Sequence, residues 1–108
     1  MLTVMGCSRF FIYRQPVSMR KSFEVLSVII EEAFPGELLT GAFFVFLSRR
    51  KDHMKVLYWD SDGLAIWYKR LEKGVFNRSN GVEKMTRKEF LMLLEGITPK
   101  RIQPRFSL

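Results

Sequence analysis

The feature that most constrains the fold is an uninterrupted apolar run at residues 42–47, which reads Ala-Phe-Phe-Val-Phe-Leu. A strand with water on one face alternates apolar and polar side chains, whereas a strand inside a sheet can be apolar on both faces. The run has no polar position, and it is far shorter than the roughly 20 residues needed to span a bilayer. It therefore predicts an interior strand of a sheet.

Two aromatic-rich runs follow, at residues 54–60 and 64–70, and Asp60-Ser61-Asp62-Gly63 joins them. Aspartate at the start of a turn and glycine at a position with positive φ are typical of a β-hairpin. The pattern predicts two antiparallel strands, with Gly63 in the left-handed region. A two-residue loop and a three-residue loop both suit these residues, so the register stays open.

A helix is predicted between a short first strand, at residues 9–13, and the apolar run. Ser18 is placed to cap a helix from about residue 19 to residue 34, and Pro35-Gly36 ends it. Apolar residues recur at helical spacing and predict a buried stripe. The stripe comprises Met19, Phe23, Leu26, Ile30 and Ala33, widened by Val25 and Ile29.

A second helix is predicted to begin at Thr86, because Thr86 and Glu89 have the spacing of a capping box. Met85 and Phe90 flank them at the spacing of a hydrophobic staple. Gly96 is expected in the left-handed conformation just after the helix. The residues expected to be buried are Phe90, Leu91, Leu93 and Leu94.

The predicted order of elements is β-α-β-β-β-α. This order indicates an α+β fold in which two helices pack on a mostly antiparallel sheet. The sequence has no internal repeat and no linker that would divide it. We therefore expect a single domain over residues 1–108, with its core at about 9–97 and a basic extended tail at 98–108.

Charge indicates the kind of partner. The net charge is +7, which favours a polyanion such as nucleic acid, an acidic protein or an anionic membrane surface; the alternative is that the charge only provides solubility.

Cys7 is the only cysteine, so no internal disulfide can form. The residues before Cys7 lack the basic and apolar regions of a signal peptide. We expect a cytoplasmic protein with no membrane partner.

Few residues suit catalysis. His53 is the only histidine, no zinc site of several His and Cys ligands is possible, and no phosphate-binding glycine motif is present. Asp52, Asp60 and Asp62 could in principle hold metal ions, but Asp-Ser-Asp-Gly is also what a tight turn requires. We favour turn chemistry, and we expect no catalytic residue, metal, cofactor or small-molecule substrate.

The basic residues are the stronger signal, because antiparallel pairing of the hairpin brings two groups of them to the same end of the sheet in either register. Like charges facing one another do not stabilise a sheet, so this cluster indicates a surface for phosphates. It comprises Arg49, Arg50, Lys51 and Lys55, which lie before or within one strand of the hairpin, and Lys69, Arg70 and Lys73 at the end of the other.

Aromatic residues lie beside these cations in the sequence and could stack on bases; the alternative is that they are core residues. They are Tyr58, Trp59, Trp67 and Tyr68. Arg20 and Lys21 are predicted as secondary contacts, together with Lys100, Arg101 and Arg105 in the tail. Arg87 and Lys88 at the start of the second helix could contact phosphates, but helix capping and solvation explain these residues equally well. The sequence has no helix-turn-helix, so we expect DNA contacts that are made mostly with the DNA backbone or carried by the sheet and the chain termini.

Several stretches resemble one family of transposon proteins. They are residues 41–46 (Gly-Ala-Phe-Phe-Val-Phe), 49–52 (Arg-Arg-Lys-Asp), 55–60 (Lys-Val-Leu-Tyr-Trp-Asp), 62–63 (Asp-Gly) and 67–74 (Trp-Tyr-Lys-Arg-Leu-Glu-Lys-Gly), with 19–23 before them and 93–97 after them. They resemble the TnpB, or Orf2-like, accessory proteins of the insertion-sequence class numbered sixty-six, which differ from the RNA-guided nuclease of the same name. The chain departs from the family pattern at Ser18, at Ser22 and at Asn77-Arg78, where the family has Asp, often Gly and often Trp-Pro.

The resemblance implies a small non-catalytic protein, encoded beside a larger transposase, that helps an insertion sequence to move. It brings no established catalytic residues. Our leading hypothesis is DNA binding at or near the element ends through the hairpin cluster. The alternative is an adaptor that docks on the transposase or another element-encoded protein through an exposed Trp59 or Trp67. A third hypothesis is a metal-dependent nuclease built on Asp52, Asp60 and Asp62.

Overall fold

A five-stranded sheet and two helices make up the part of the chain that the computed structural model describes, residues 9–77 and 84–95. In chain order the elements are β1 (Phe10–Ile12), α1 (Phe23–Ala33), β2 (Phe43–Leu47), β3 (His53–Trp59), β4 (Leu64–Arg70), β5 (Lys84–Met85) and α2 (Arg87–Leu94). The strand order across the sheet is β4-β3-β2-β1-β5. Among the described strands only β1 and β2 pair in parallel, so the predicted α+β class with a mostly antiparallel sheet is confirmed.

The apolar run forms the central strand, as predicted. All five residues of β2 are buried. β2 pairs with β1 through Phe11↔Phe44 and with β3 through Val45↔Val56. Because the run lies between two strands and under two apolar layers, it needs no polar side chain.

The two faces of the sheet carry separate cores, one under each helix. On the α2 face, Phe90 stacks on Phe10 with 4.7 Å between ring centroids. On the α1 face, Leu26 and Ile30 pack against the sheet and are fully buried. The helices therefore cover opposite faces, and alternate residues of each central strand enter different cores.

α1 begins later than the sequence predicts. It starts at Phe23 with Ser22 as its N-cap, and Ser18 lies in a turn before it, where the Lys21 amide donates to the Ser18 carbonyl over 3.1 Å. Leu26 and Ile30 form the buried stripe as expected, whereas Phe23 and Val25 are exposed. Other contacts, described below, hold residues 19–21 outside the helix.

The hairpin forms with a register of Val56↔Trp67, and the ladder reaches from His53↔Arg70 to Trp59↔Leu64. Beyond it, the Asp60 amide donates to the Gly63 carbonyl over 2.7 Å. The prediction for Gly63 was wrong. The residue with positive φ is Ser61, at 56°, because the left-handed step comes one residue after Asp60.

The second helix begins as the sequence predicts. The Glu89 amide donates to Thr86 Oγ1 over 3.1 Å, and the Thr86 amide donates to Glu89 Oε1 over 2.9 Å. Phe90 and Leu93 are buried and Leu94 is half-buried, but Leu91 is exposed, contrary to expectation. The two-residue strand β5 before the helix was not predicted, because two residues carry too little pattern.

Some predictions fall outside the described residues. They concern Cys7, Gly96 and the basic tail with Lys100, Arg101 and Arg105. Within residues 9–77 and 84–95, no helix has the length and apolar character needed to cross a bilayer.

Candidate nucleic-acid interface

One end of the sheet collects exposed cations from three separate stretches of chain. β1, β2 and β4 finish at this end and β3 begins there, so residues 14–22, 48–52 and 71–77 adjoin one another. We call the exposed cations of this end the basic end. They are Arg14, Arg20, Lys21, Arg49, Arg50, Lys51, Arg70 and Lys73. The predicted convergence of the two arms of the hairpin is therefore present in the fold.

The loop between β2 and β3 is held firmly by backbone hydrogen bonds. The Leu71 amide donates to the Asp52 carbonyl over 2.8 Å, and the Phe76 amide donates to the Lys51 carbonyl over 2.7 Å. Phe76 is fully buried, so this loop is tied to the core. The exposed Arg49 and Arg50 thus project from a fixed backbone rather than from a free loop.

A short polar network closes the same loop. Ser48 Oγ donates to Asp52 Oδ1 over 3.2 Å, and His53 Nδ1 lies 2.8 Å from the same oxygen. The hydrogen bond from His53 has the largest effect and lowers the pKa of Asp52; burial opposes it, and the hydrogen bond from Ser48 lowers the pKa further. An ionised carboxylate can only accept hydrogen bonds, so His53 Nδ1 carries the proton in the hydrogen bond to Asp52.

Lys55 belongs to the interior and not to the exposed surface. The residue is only 9% exposed, and its Nζ donates to the carbonyls of Met19 over 2.9 Å and Lys21 over 2.7 Å. The same Nζ lies 5.3 Å from the ring centroid of Tyr68. Lys55, a member of the cluster predicted from the sequence, is therefore buried, because carbonyls far away in the sequence accept its N–H groups.

Two further cations of the hairpin have partners within the chain. Lys69 Nζ donates to the carbonyl of Leu94 at the end of α2, over 3.0 Å. Arg70 donates to Glu72 over 3.2 Å, but both side chains are largely exposed, so this pair contributes little and opens easily. Lys69 therefore secures α2, while Arg70 remains part of the basic end.

The four candidate aromatic residues divide between core and surface. Tyr58 stacks on Phe43 with 5.0 Å between centroids, and burial, followed by the charge of Asp60, raises the pKa of Tyr58. Trp67 packs against the core under α2, and Trp59 is half-buried near the turn. Tyr68, 51% exposed, is the one of the four that is both exposed and beside the basic end.

The aspartates of the metal alternative do not come together. Asp52 lies at the basic end, whereas Asp60 and Asp62 lie beyond the other end of β3, a strand of seven residues. That separation is about 20 Å for an extended strand. The residues that the structure describes contain no group of three or more His, Cys, Asp or Glu placed to hold a metal ion.

One exposed cation of this end was missed by the sequence reasoning. Arg14 follows β1, and the parallel pairing of β1 with β2 carries it to the basic end. The signal in the sequence was the helix between two strands, since a crossover helix joins parallel neighbours.

The opposite end of the sheet, which we call the turn end, also carries cations. β5 runs antiparallel to β1, through Phe10↔Met85, so α2 begins at the turn end. Exposed Lys84, Arg87 and Lys88 lie there. Arg9 at this end is paired with Glu37 over 2.7 Å. The turn end is therefore a natural control surface for experiments on the basic end.

The comparisons with known proteins identify the family. A family model described as "IS66 Orf2 like protein" matches residues 8–104. The chain belongs to this family. The resemblance seen in the motifs is thereby confirmed, and membership associates the chain with insertion-sequence transposition as an accessory protein.

Two curated proteins from Sinorhizobium fredii are similar to this chain. "Uncharacterized protein y4jC" is 30% identical over 98 residues, which cover 88% of this chain and 84% of the relative. "Uncharacterized protein y4hO" is 29% identical over 92 residues, with coverage of 82% and 80%. No solved structure matches the chain.

Proposed function

We propose that this chain is a non-catalytic accessory protein in the transposition of a bacterial insertion sequence, and that it binds the DNA backbone at or near the element ends through the basic end. The observation that carries the proposal is the convergence of exposed cations from three stretches of chain on one end of the sheet. Family membership supports the setting.

The charge balance of the basic end favours phosphates. Its nearby carboxylates already have partners, because Asp52 accepts from Ser48 and His53, and Glu72 accepts from Arg70. The side chains of Arg49, Arg50 and Lys73 are exposed. Arginine and lysine side chains on a fixed backbone can bind successive phosphates and release counterions.

Tyr68 extends the same surface. Its ring centroid lies 5.3 Å from Lys55 Nζ and 5.9 Å from the His53 ring centroid, and half of its surface is exposed. An exposed aromatic ring beside cations can stack on an unpaired base. The proposal therefore includes single-stranded DNA as a ligand of this surface, and the test compares single-stranded with duplex DNA.

The test is fluorescence anisotropy with three labelled DNAs, titrated across salt: an element-end duplex, a scrambled duplex and a single strand. We expect salt-sensitive binding, tighter for the element end. A variant with Arg49→Ala, Arg50→Ala and Lys73→Ala should bind more weakly, and the slope of log affinity against log salt should fall by about one per lost phosphate contact.

The matched control is a variant with Lys84→Ala, Arg87→Ala and Lys88→Ala, which removes the same charge at the turn end. It should retain most of the affinity. Equal loss in both triple variants would show that only net charge matters, and an absence of binding by the unmodified protein at low salt would overturn the proposal.

A second candidate function, an adaptor for the transposase, has its own support. α1 carries Glu24, Glu31 and Glu32 and no cation, and it exposes Val25 and Val28 between them. An acidic surface with apolar residues suits a basic partner protein. Co-purification with the transposase after nuclease treatment and in high salt, lost in a Val25→Lys, Val28→Lys variant, would favour this function over DNA binding.

A further inference from the structure

The outer edge of β4 is the longest unpaired backbone edge in the described part of the chain. The strand stands at the end of the order β4-β3-β2-β1-β5 and runs for seven residues, whereas the opposite edge strand, β5, has two. No described residue pairs with its outer side. A long edge of this kind readily accepts another strand.

The hydrogen bonds that flank the β3–β4 ladder show which groups point outward. The Asp60 amide donates to the Gly63 carbonyl, and the Leu71 amide donates to the Asp52 carbonyl. Residues 63 and 71 therefore face β3. Because direction alternates along a strand, the odd-numbered residues of β4 face β3 and the even-numbered ones face outward. The outward residues are Leu64, Ile66, Tyr68 and Arg70.

These four residues are symmetric about Trp67. We propose that two copies of this chain pair antiparallel along β4, with Trp67 on the two-fold axis. Leu64 then pairs with Arg70 of the second copy, and Ile66 pairs with its Tyr68. Every outward amide and carbonyl of the strand gains a partner in this register, and the two sheets become one.

Side chains and charges agree with this register. Within the strand no like charges face each other, because Arg70 meets Leu64 and Lys69 meets Ala65. Arg70 also comes beside the turn of the second copy, which carries the exposed Asp60 and Asp62. The antiparallel arrangement places the two basic ends on opposite margins of the joined sheet, so they do not repel each other at the interface.

The side chains of β4 are only partly covered by the rest of the chain, which is typical of a strand that forms an interface. Leu64, Ala65, Ile66 and Trp67 are half-buried, and Leu64, Ile66 and Trp67 lie at the margins of the two cores. Pairing with a second copy covers these side chains and removes the open edge. The partner favoured by the geometry is therefore the chain itself.

Cross-linking tests the register directly. In a Cys7→Ser background, Trp67→Cys should form a covalent dimer under mild oxidation, because residues at a non-hydrogen-bonded antiparallel position have Cα atoms about 4.5 Å apart. Ala65→Cys is the control, since its two copies lie four residues apart across the interface. Equal cross-linking at both positions, or none at 67 in a folded protein, would overturn the register.

A second test does not depend on replacing a tryptophan. Tyr68→Pro removes an outward N–H while leaving the β3–β4 ladder intact, and proline is tolerated at such edge positions; Tyr68→Ala removes the side chain alone. Sedimentation without DNA should show a dimer for the unmodified chain and for Tyr68→Ala, and a folded monomer for Tyr68→Pro. A monomeric unmodified protein, or a dimeric Tyr68→Pro, would contradict the proposal whatever the outcome for DNA.

Discussion

The Nζ atom of Lys55 lies 2.7 Å from the carbonyl oxygen of Lys21, so a lysine of the central hairpin fixes the segment before α1 to the sheet. The same Nζ also donates to Met19 over 2.9 Å. These bonds determine where Arg20 and Lys21 are presented, and they explain why the helix does not start at residue 19. A buried cation here supports the basic end without belonging to it.

Lys55→Met should therefore destabilise the fold, because it leaves two carbonyls without their charged donor. We expect a loss of about 1–3 kcal/mol in the free energy of unfolding, measured by urea denaturation. Lys21→Met is the control, since it changes an exposed side chain and keeps the carbonyl; its effect should stay within about 0.5 kcal/mol. Similar losses in both variants would show that the Lys55 bonds do not stabilise the segment.

Asp52 should make the stability depend on pH. Its pKa is lowered below the ordinary value of 3.8 by the hydrogen bond from His53, so its contribution is fully present above that value and is lost as the pH falls through the lower, folded value. The unmodified protein should thus exceed Asp52→Asn in stability at pH 7, and the difference should shrink below pH 3.8.

Urea denaturation at a series of pH values measures this difference. Asp62→Asn is the charge-matched control, because the residues that the structure describes donate no hydrogen bond to that carboxylate. A gap between the unmodified protein and Asp52→Asn that stays constant down to the lowest pH would show that the Ser48-Asp52-His53 network does not act through the carboxylate charge.

The hairpin turn predicts opposite effects at neighbouring positions. Ser61 has a φ of 56°, which favours glycine, so Ser61→Gly should raise the free energy of unfolding, by up to about 1 kcal/mol. Gly63 has no positive φ, and an added Cβ would meet nothing within 4 Å. Gly63→Ala should therefore be neutral or slightly stabilising, and a large loss would place the left-handed step at Gly63 instead.

The two helix starts differ in how much their caps contribute. Thr86 accepts from the Glu89 amide in a complete capping box, whereas the Ser22 side chain makes no capping hydrogen bond. Thr86→Ala should cost about 1 kcal/mol of stability, and Ser22→Ala distinctly less. Thermal or urea unfolding of the two alanine variants gives the comparison, and equal costs would contradict the assigned caps.

Local patterns in the sequence were sufficient for much of the fold. The apolar run at 42–47 predicted the central strand, because its side chains had to be covered on both faces. The capping box at Thr86 and the arms of the hairpin were also predicted, since each depends on residues a few positions apart. The convergence of Arg49 and Arg50 with Arg70 followed from antiparallel pairing alone.

Tertiary structure decided what depends on distant partners. Lys55 and Lys69 looked like surface cations, but carbonyls of residues 19–21 and 94 bind them. The late start of α1, the parallel pairing of β1 and the two-residue β5 likewise depend on chain segments far apart in sequence. Composition and periodicity predict local structure from nearby residues. Whether a lysine is buried or exposed depends on hydrogen-bond acceptors that only the folded chain brings close to it.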